Sequence, residues 1–105
     1  MSLDITLYVG DERVFEANFT HNVSRMADQA GLYEPIWNAD ENCVFASDLI
    51  EPLTTGIAMM KADPERFKKF DAPNKWGTYD QFLPWLERLL EACTDYPDAK
   101  IFIDK

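Results

Sequence analysis

Leu3-Asp4-Ile5-Thr6-Leu7-Tyr8-Val9, Gly10-Asp11-Glu12-Arg13 and Val14-Phe15-Glu16-Ala17-Asn18-Phe19 form the stretch on which the fold turns. Leu3, Ile5, Leu7 and Val9 alternate with Asp4, Thr6 and Tyr8, the period of a half-buried strand. Phe15, Ala17 and Phe19 repeat that period after a turn carrying a glycine and an aspartate. A β-hairpin is the reading. A hairpin alone is marginal in water, so a third strand or a helical cover must complete it. Lys100 to Asp104 alternates again, with Ile101 and Ile103 on one side, and supplies that strand.

Between these strands the period changes. Val23, Met26, Ala27 and Ala30 recur at helical spacing after Asn22, a good N-cap, and Gly31 stands where that helix ends. Leu32 to Cys43 has no sustained period and reads as a connection, pinned by Tyr33, Ile36 and Trp37. Leu49, Leu53, Ile57 and Met60 mark a helix capped by Ser47, with a bend expected at Pro52. Asp63-Pro64 opens a short helix to Phe70, with Phe67 and Phe70 on one side. Asp71 to Gly77 is a polar loop holding Asn74, Trp76 and Gly77. Thr78 and Gln81 then match a capping box. The helix they open carries Tyr79, Phe82, Leu83, Leu86, Leu90 and Cys93 on its apolar stripe, with Trp85 widening it and Pro84 near its start. The expected fold is one α+β domain over residues 1–105. A mainly antiparallel three-stranded sheet, hairpin plus C-terminal strand, packs on three to four helices.

The chain has 105 residues, 47% hydrophobic, enough for a core without a metal or disulfide staple. Nineteen acids against ten bases leave a net charge of −9. That balance argues against direct nucleic-acid binding and against an anionic membrane surface as partner. Residues 1–45 hold eight acids and two bases, 46–75 five of each, and 76–105 six and three. The excess therefore belongs to the two ends of the chain. No apolar run reaches the ~20 residues of a membrane span, and no signal-peptide pattern opens the sequence. Two separated cysteines, Cys43 and Cys93, read as reduced thiols in a cytoplasmic setting.

Catalytic signatures are absent. There is no glycine-rich phosphate loop, GxSxG elbow or HExxH pair, and one histidine with two distant cysteines does not make a metal site. No cofactor or metal is expected. The candidates that remain form a functional surface: Thr20, His21, Asn22, Trp37, Asn74, Trp76 and Gly77. His21 is the only histidine. It stands between a hydroxyl and an amide where the second strand meets the first helix, a place for proton transfer, ligand binding or simple capping. Trp37 and Trp76 lie in loops, where a large aromatic either pins the loop to the body or meets a partner.

At Phe19-Thr20-His21-Asn22, Met26-Ala27, Ala30-Gly31-Leu32-Tyr33 and Trp37 the chain resembles small uncharacterised proteins encoded in tailed-phage and prophage genomes. Asp63-Pro64-Glu65-Arg66-Phe67, Trp76-Gly77-Thr78-Tyr79 and Tyr96-Pro97-Asp98-Ala99 extend the likeness over nearly the whole chain. Ile36 replaces the usual leucine before Trp37, and Asn38 stands where that group often has arginine. The resemblance implies a genomic context in a bacterial host and no activity. The expectation is a non-enzymatic accessory protein acting through contacts with a host or phage protein, its homo-oligomeric state open. Two alternatives stand beside it: a small enzyme or ligand-binding domain using His21 and Asn22 in a pocket walled by Trp37 and Trp76, and an acidic nucleic-acid mimic using Asp40, Glu41, Glu87, Glu91, Asp95 and Asp98.

Overall fold

Leu3, Ile5 and Leu7 are wholly removed from solvent, and they lie on one face of the middle strand of the sheet. A computed structural model describes residues 2–105. Strand β1 (Ser2–Val9) pairs antiparallel with β2 (Glu12–Thr20) on one side and with β3 (Lys100–Asp104) on the other, in the order β2-β1-β3. The hairpin loop is only Gly10-Asp11, because Val9 faces Glu12. Gly10 has φ 63°, the backbone a two-residue hairpin loop asks of its first position. The register slips between Leu7 and Tyr8, and the extra residue on β2 is Val14. Such a bulge turns one strand without moving Phe15, Ala17 and Phe19 off the core side. Burying each large side chain of β1 contributes about 1.5–3 kcal/mol.

The helices form a second layer. After a 3₁₀ turn, His21–Val23, come α1 (Ser24–Gln29), α2 (Tyr33–Trp37) and α3 (Ala39–Asn42). A further 3₁₀ turn, Ala46–Leu49, leads into α4 (Ile50–Ala62), followed by α5 (Pro64–Lys68) and α6 (Tyr79–Asp95). The α+β architecture and the antiparallel three-stranded sheet are those expected from the periodicity. Among the described residues the helices number six rather than three to four, because the aperiodic connection from Leu32 to Cys43 winds into α2 and α3. Helices of five and four residues are too short to display a period.

Several local expectations change. Thr20, not Asn22, caps the first helical turn, its hydroxyl accepting from Asn22 N at 3.2 Å. Gly31, φ 71°, ends α1 as expected: Leu32 N reaches back to Ala27 O at 2.8 Å, closing the last turn. Ser47 does not cap α4. Asp48 holds that junction instead, accepting from Val44 N and Phe45 N at 2.9 and 3.1 Å. Pro52 leaves α4 unbroken because it lies in the first turn, where a backbone N–H has no helical partner to lose. Asp63 makes no side-chain cap, and the helix it precedes ends at Lys68. The Thr78–Gln81 capping box is present in both directions.

On α6 the buried face is Tyr79, Phe82, Trp85, Leu86, Leu89, Ala92 and Cys93, while Leu83 and Leu90 are half-buried. The stripe is turned towards Trp85 because Phe19 of β2 sits against both Phe82 and Trp85, with ring centroids 5.4 and 5.5 Å apart. All the buried apolar side chains join one cluster, with Phe19, Ile101 and Ile103 partly covered at its sheet side.

Candidate functional site

Trp76 is 71% exposed, whereas Trp37 is 1% exposed. Two tryptophans that sequence places alike in loops thus have opposite fates. Trp37 pins its segment: it stacks on Tyr33 at 5.4 Å and meets Phe82 edge-on at 6.4 Å. Trp76 pins nothing with its ring. The backbone beneath that ring is nevertheless tied down at every step.

Asn22 Nδ2 donates to Trp76 O at 2.8 Å, across 54 positions of sequence. Trp76 N donates to Asn74 Oδ1 at 3.0 Å. Gly77 N donates to Gln81 Oε1 at 3.0 Å, and Ala72 N to Gly77 O at 3.1 Å. Lys75 takes the left-handed conformation, φ 65°, and its N–H bonds Ala72 O at 2.9 Å. Gly77 has φ 108°, and a Cβ there would sit 3.0–3.1 Å from Thr20, Asn22 and Val23 side chains. Only glycine lets the loop come this close to the end of β2 and the turn that follows it.

The result is an open cleft of about 830 Å³ between the end of the hairpin and the loop 71–78. Of the candidates, Thr20, Asn22, Asn74, Trp76 and Gly77 line it together. Ser2, Asn18, Phe19, Lys75 and Gln81 join them. None of these five carries a functional motif in the sequence. For Asn18 and Ser2 the available signal is strand register, which places Asn18 opposite Asp4 and Ser2 opposite Thr20 on one sheet face. Asn18 Nδ2 bonds Ser2 Oγ at 3.0 Å and Asp4 Oδ1 at 2.6 Å, holding the cleft floor.

His21 and Trp37 are elsewhere. They line a smaller hollow of about 280 Å³ with Ser24, Tyr33 and Lys105. The four residues imagined around one pocket divide into two concavities, because successive residues of the His21–Val23 turn point to different sides. Trp37 Nε1 donates to His21 Nδ1 at 3.0 Å. That bond occupies Nδ1 as an acceptor and leaves Nε2 as the ring nitrogen without a partner in the protein. Lys105 Nζ donates to Trp37 O at 3.1 Å and also to Asn38 Oδ1, closing the hollow's rim.

The two thiols are poor nucleophiles. Burial pushes the Cys93 thiol up to about 12, with the Cys43 thiol a smaller cause. Cys43 is raised too, by burial and then by Asp48. Neither thiol forms a disulfide. Thiols raised in this way hold little thiolate near neutral pH. Among the described residues no group of three or more histidine, cysteine or acidic side chains is placed to hold a metal, and no helix is long and apolar enough to cross a membrane.

The charged candidates have local work. Glu87 of the acidic series pairs with Lys61 at 2.9 Å. Arg66 lies over the Phe67 ring, 5.2 Å from its centroid, and Lys68 over Tyr79 at 5.6 Å. Of the basic residues of the middle segment, two therefore lie over aromatic rings and a third, Lys61, faces a carboxylate.

No family model, no curated protein and no solved structure matches this chain. The comparisons lend no support to the resemblance with phage-encoded proteins.

Proposed function

We propose that the chain is a non-enzymatic accessory protein that acts through contact with another protein, with Trp76 and its cleft as the contact surface. One observation carries this reading: an indole 71% exposed stands on backbone held by Asn22, Asn74 and Gln81. A solvent-facing tryptophan on anchored backbone has little backbone freedom left to lose on binding, and tryptophan is among the side chains most enriched at the centre of strong contacts. The resemblance to phage and prophage proteins would place that partner in the cytoplasm of a bacterial host.

The engaged Nδ1 of His21 and the raised thiols favour this reading over a small enzyme. The test compares tagged wild type with Trp76→Ala, each purified from bacterial cells at low and moderate salt. Proteins that accompany the wild type should be lost from the variant. An unchanged set, or none above background in either, would remove the reading.

A further inference from the structure

Two hollows meet beside Trp76. The Trp76 cleft and a second hollow of about 510 Å³ share Asn22 and Asn74 in their walls. The second adds Arg25 of α1, with Lys69 and Asp71, which lead into the loop of Trp76. Together the two linings hold three cations, Arg25, Lys69 and Lys75, against a single carboxylate, Asp71. That carboxylate is already engaged, its Oδ1 accepting from Tyr79 N at 2.7 Å. Asp4 is engaged behind the floor by Asn18, and Asp28 lines a different hollow. Ion pairs among the described residues join Arg13 to Glu16 and Lys61 to Glu87, and none involves the three groove cations. Arg25 lies over the Phe70 ring, 5.9 Å from its centroid, which holds it at the groove wall. A chain of net charge −9 thus keeps a positive groove beside its most exposed large hydrophobic side chain.

From this local reversal of charge we infer that the groove takes a short acidic segment of a partner protein. Its carboxylates meet Arg25, Lys69 and Lys75, and an apolar residue between them meets the Trp76 indole. Opposite potentials across an interface steer encounter and fix register. The planar guanidinium of Arg25 also matches a carboxylate with two parallel hydrogen bonds. A nucleic acid is anionic too, but its affinity comes from neutralising many successive phosphates. A strand long enough to run beyond these three cations meets a chain of net charge −9. A short segment is spared that repulsion. Screening falls off over about 8 Å at physiological salt, while the body measures 40 × 27 × 20 Å, so the lining outweighs the distant acids.

The inference rests on the cleft being a protein-contact surface and names the chemistry of the segment it takes. Its test uses the full chain and a decapeptide of alternating glutamate and leucine carrying a neutral BODIPY dye, followed by fluorescence anisotropy. Binding should saturate at about 50 mM salt and weaken at about 300 mM. The same peptide with glutamine in place of glutamate should not compete. Lys69→Gln and Lys75→Gln should each weaken binding about two- to fivefold, and adding Arg25→Gln to both should bring the loss to about tenfold or more. Lys100→Gln removes the same charge from β3, opposite Tyr8 and outside the groove, and should leave binding unchanged. All four side chains are exposed, so the variants should keep the wild-type melting temperature. Absence of saturable binding, competition by the glutamine peptide, an equal loss from Lys100→Gln, or tighter binding of an oligothymidylate of equal length overturns the inference. If Trp76→Ala loses its cellular partners while the acidic peptide does not bind, the contact reading stands and the acidic assignment falls.

Discussion

The indole N–H of Trp37 donates to Nδ1 of His21 at 3.0 Å, so the chain's single histidine is the acceptor for a buried tryptophan. Replacing His21 by alanine strands that N–H in the core. An unsatisfied buried donor costs about 1–3 kcal/mol. Urea denaturation of His21→Ala should show a loss of that size, and adding Trp37→Phe should recover part of the hydrogen-bond share, read as a double-mutant cycle. An unshifted midpoint for His21→Ala would show that the bond contributes nothing to the fold.

Gly56 of α4 lies directly against Leu32. A Cβ on Gly56 would fall 2.6 Å from Leu32 Cγ and 2.7 Å from both of its Cδ atoms. Alanine normally stabilises a helix by about 1 kcal/mol over glycine. Here overpacking of about 1–3 kcal/mol opposes that gain and should win. Gly56→Ala should therefore melt lower than wild type. The penalty should shrink when Leu32→Ala is already present, because the obstructing atoms are gone. Thermal melts of the four proteins decide it.

Gly77→Ala tests what positions Trp76. At φ 108° any side chain is strained, by about 1–3 kcal/mol, and the new methyl would press on Thr20, Asn22 and Val23. The loop should lift from the end of β2 and break the bond from Asn22 to Trp76 O. Acrylamide quenching of tryptophan emission should change in the exposed component, assigned to Trp76. The component from Trp37 and Trp85 should not. A quenching curve identical to wild type would show that the close approach does not set the loop.

Asp48 makes stability depend on pH in the acid range. The Phe45 and Val44 N–H groups hold its carboxyl below the ordinary value, the Phe45 bond being the larger cause. The unfolded chain then binds this proton more readily than the folded one. The contribution is complete above the unfolded pKa of about 4 and fades as pH falls through the lower folded value. Wild type should exceed Asp48→Asn in stability at about pH 7, and the gap should narrow towards roughly pH 2. Denaturant midpoints across that range would show it. A gap constant with pH would mean the carboxylate is not what holds the junction.

How much of this could be read in advance differs from residue to residue. Leu3, Ile5 and Leu7 announce their burial by alternation, and Thr78 with Gln81 announces its capping box by spacing alone. Ser47 was a reasonable cap by residue type, yet Asp48 holds that junction, because the chain enters the turn with the Val44 and Phe45 N–H groups facing it. The apolar arc of α6 was legible. Its rotation towards Trp85 was not, since that depends on where Phe19 lands. In the candidate site, Thr20, Asn22, Asn74, Trp76 and Gly77 came from sequence, while Ser2, Asn18, Phe19, Lys75 and Gln81 needed the cleft to be seen.

The amino-acid sequence by itself determined the strands, the caps at Thr78 and Gly31, and the α+β class. Those features rest on interactions between residues a few positions apart, which leave a period or a motif behind. Tertiary structure alone decided that Trp37 is buried and Trp76 exposed. It also turned His21 to one hollow and Asn22 to another. Both outcomes hang on contacts across long stretches of chain: Asn22 to Trp76 over 54 positions and Lys105 to Trp37 over 68. Such contacts depend on where a loop comes to rest against the body, and no local pattern encodes that place.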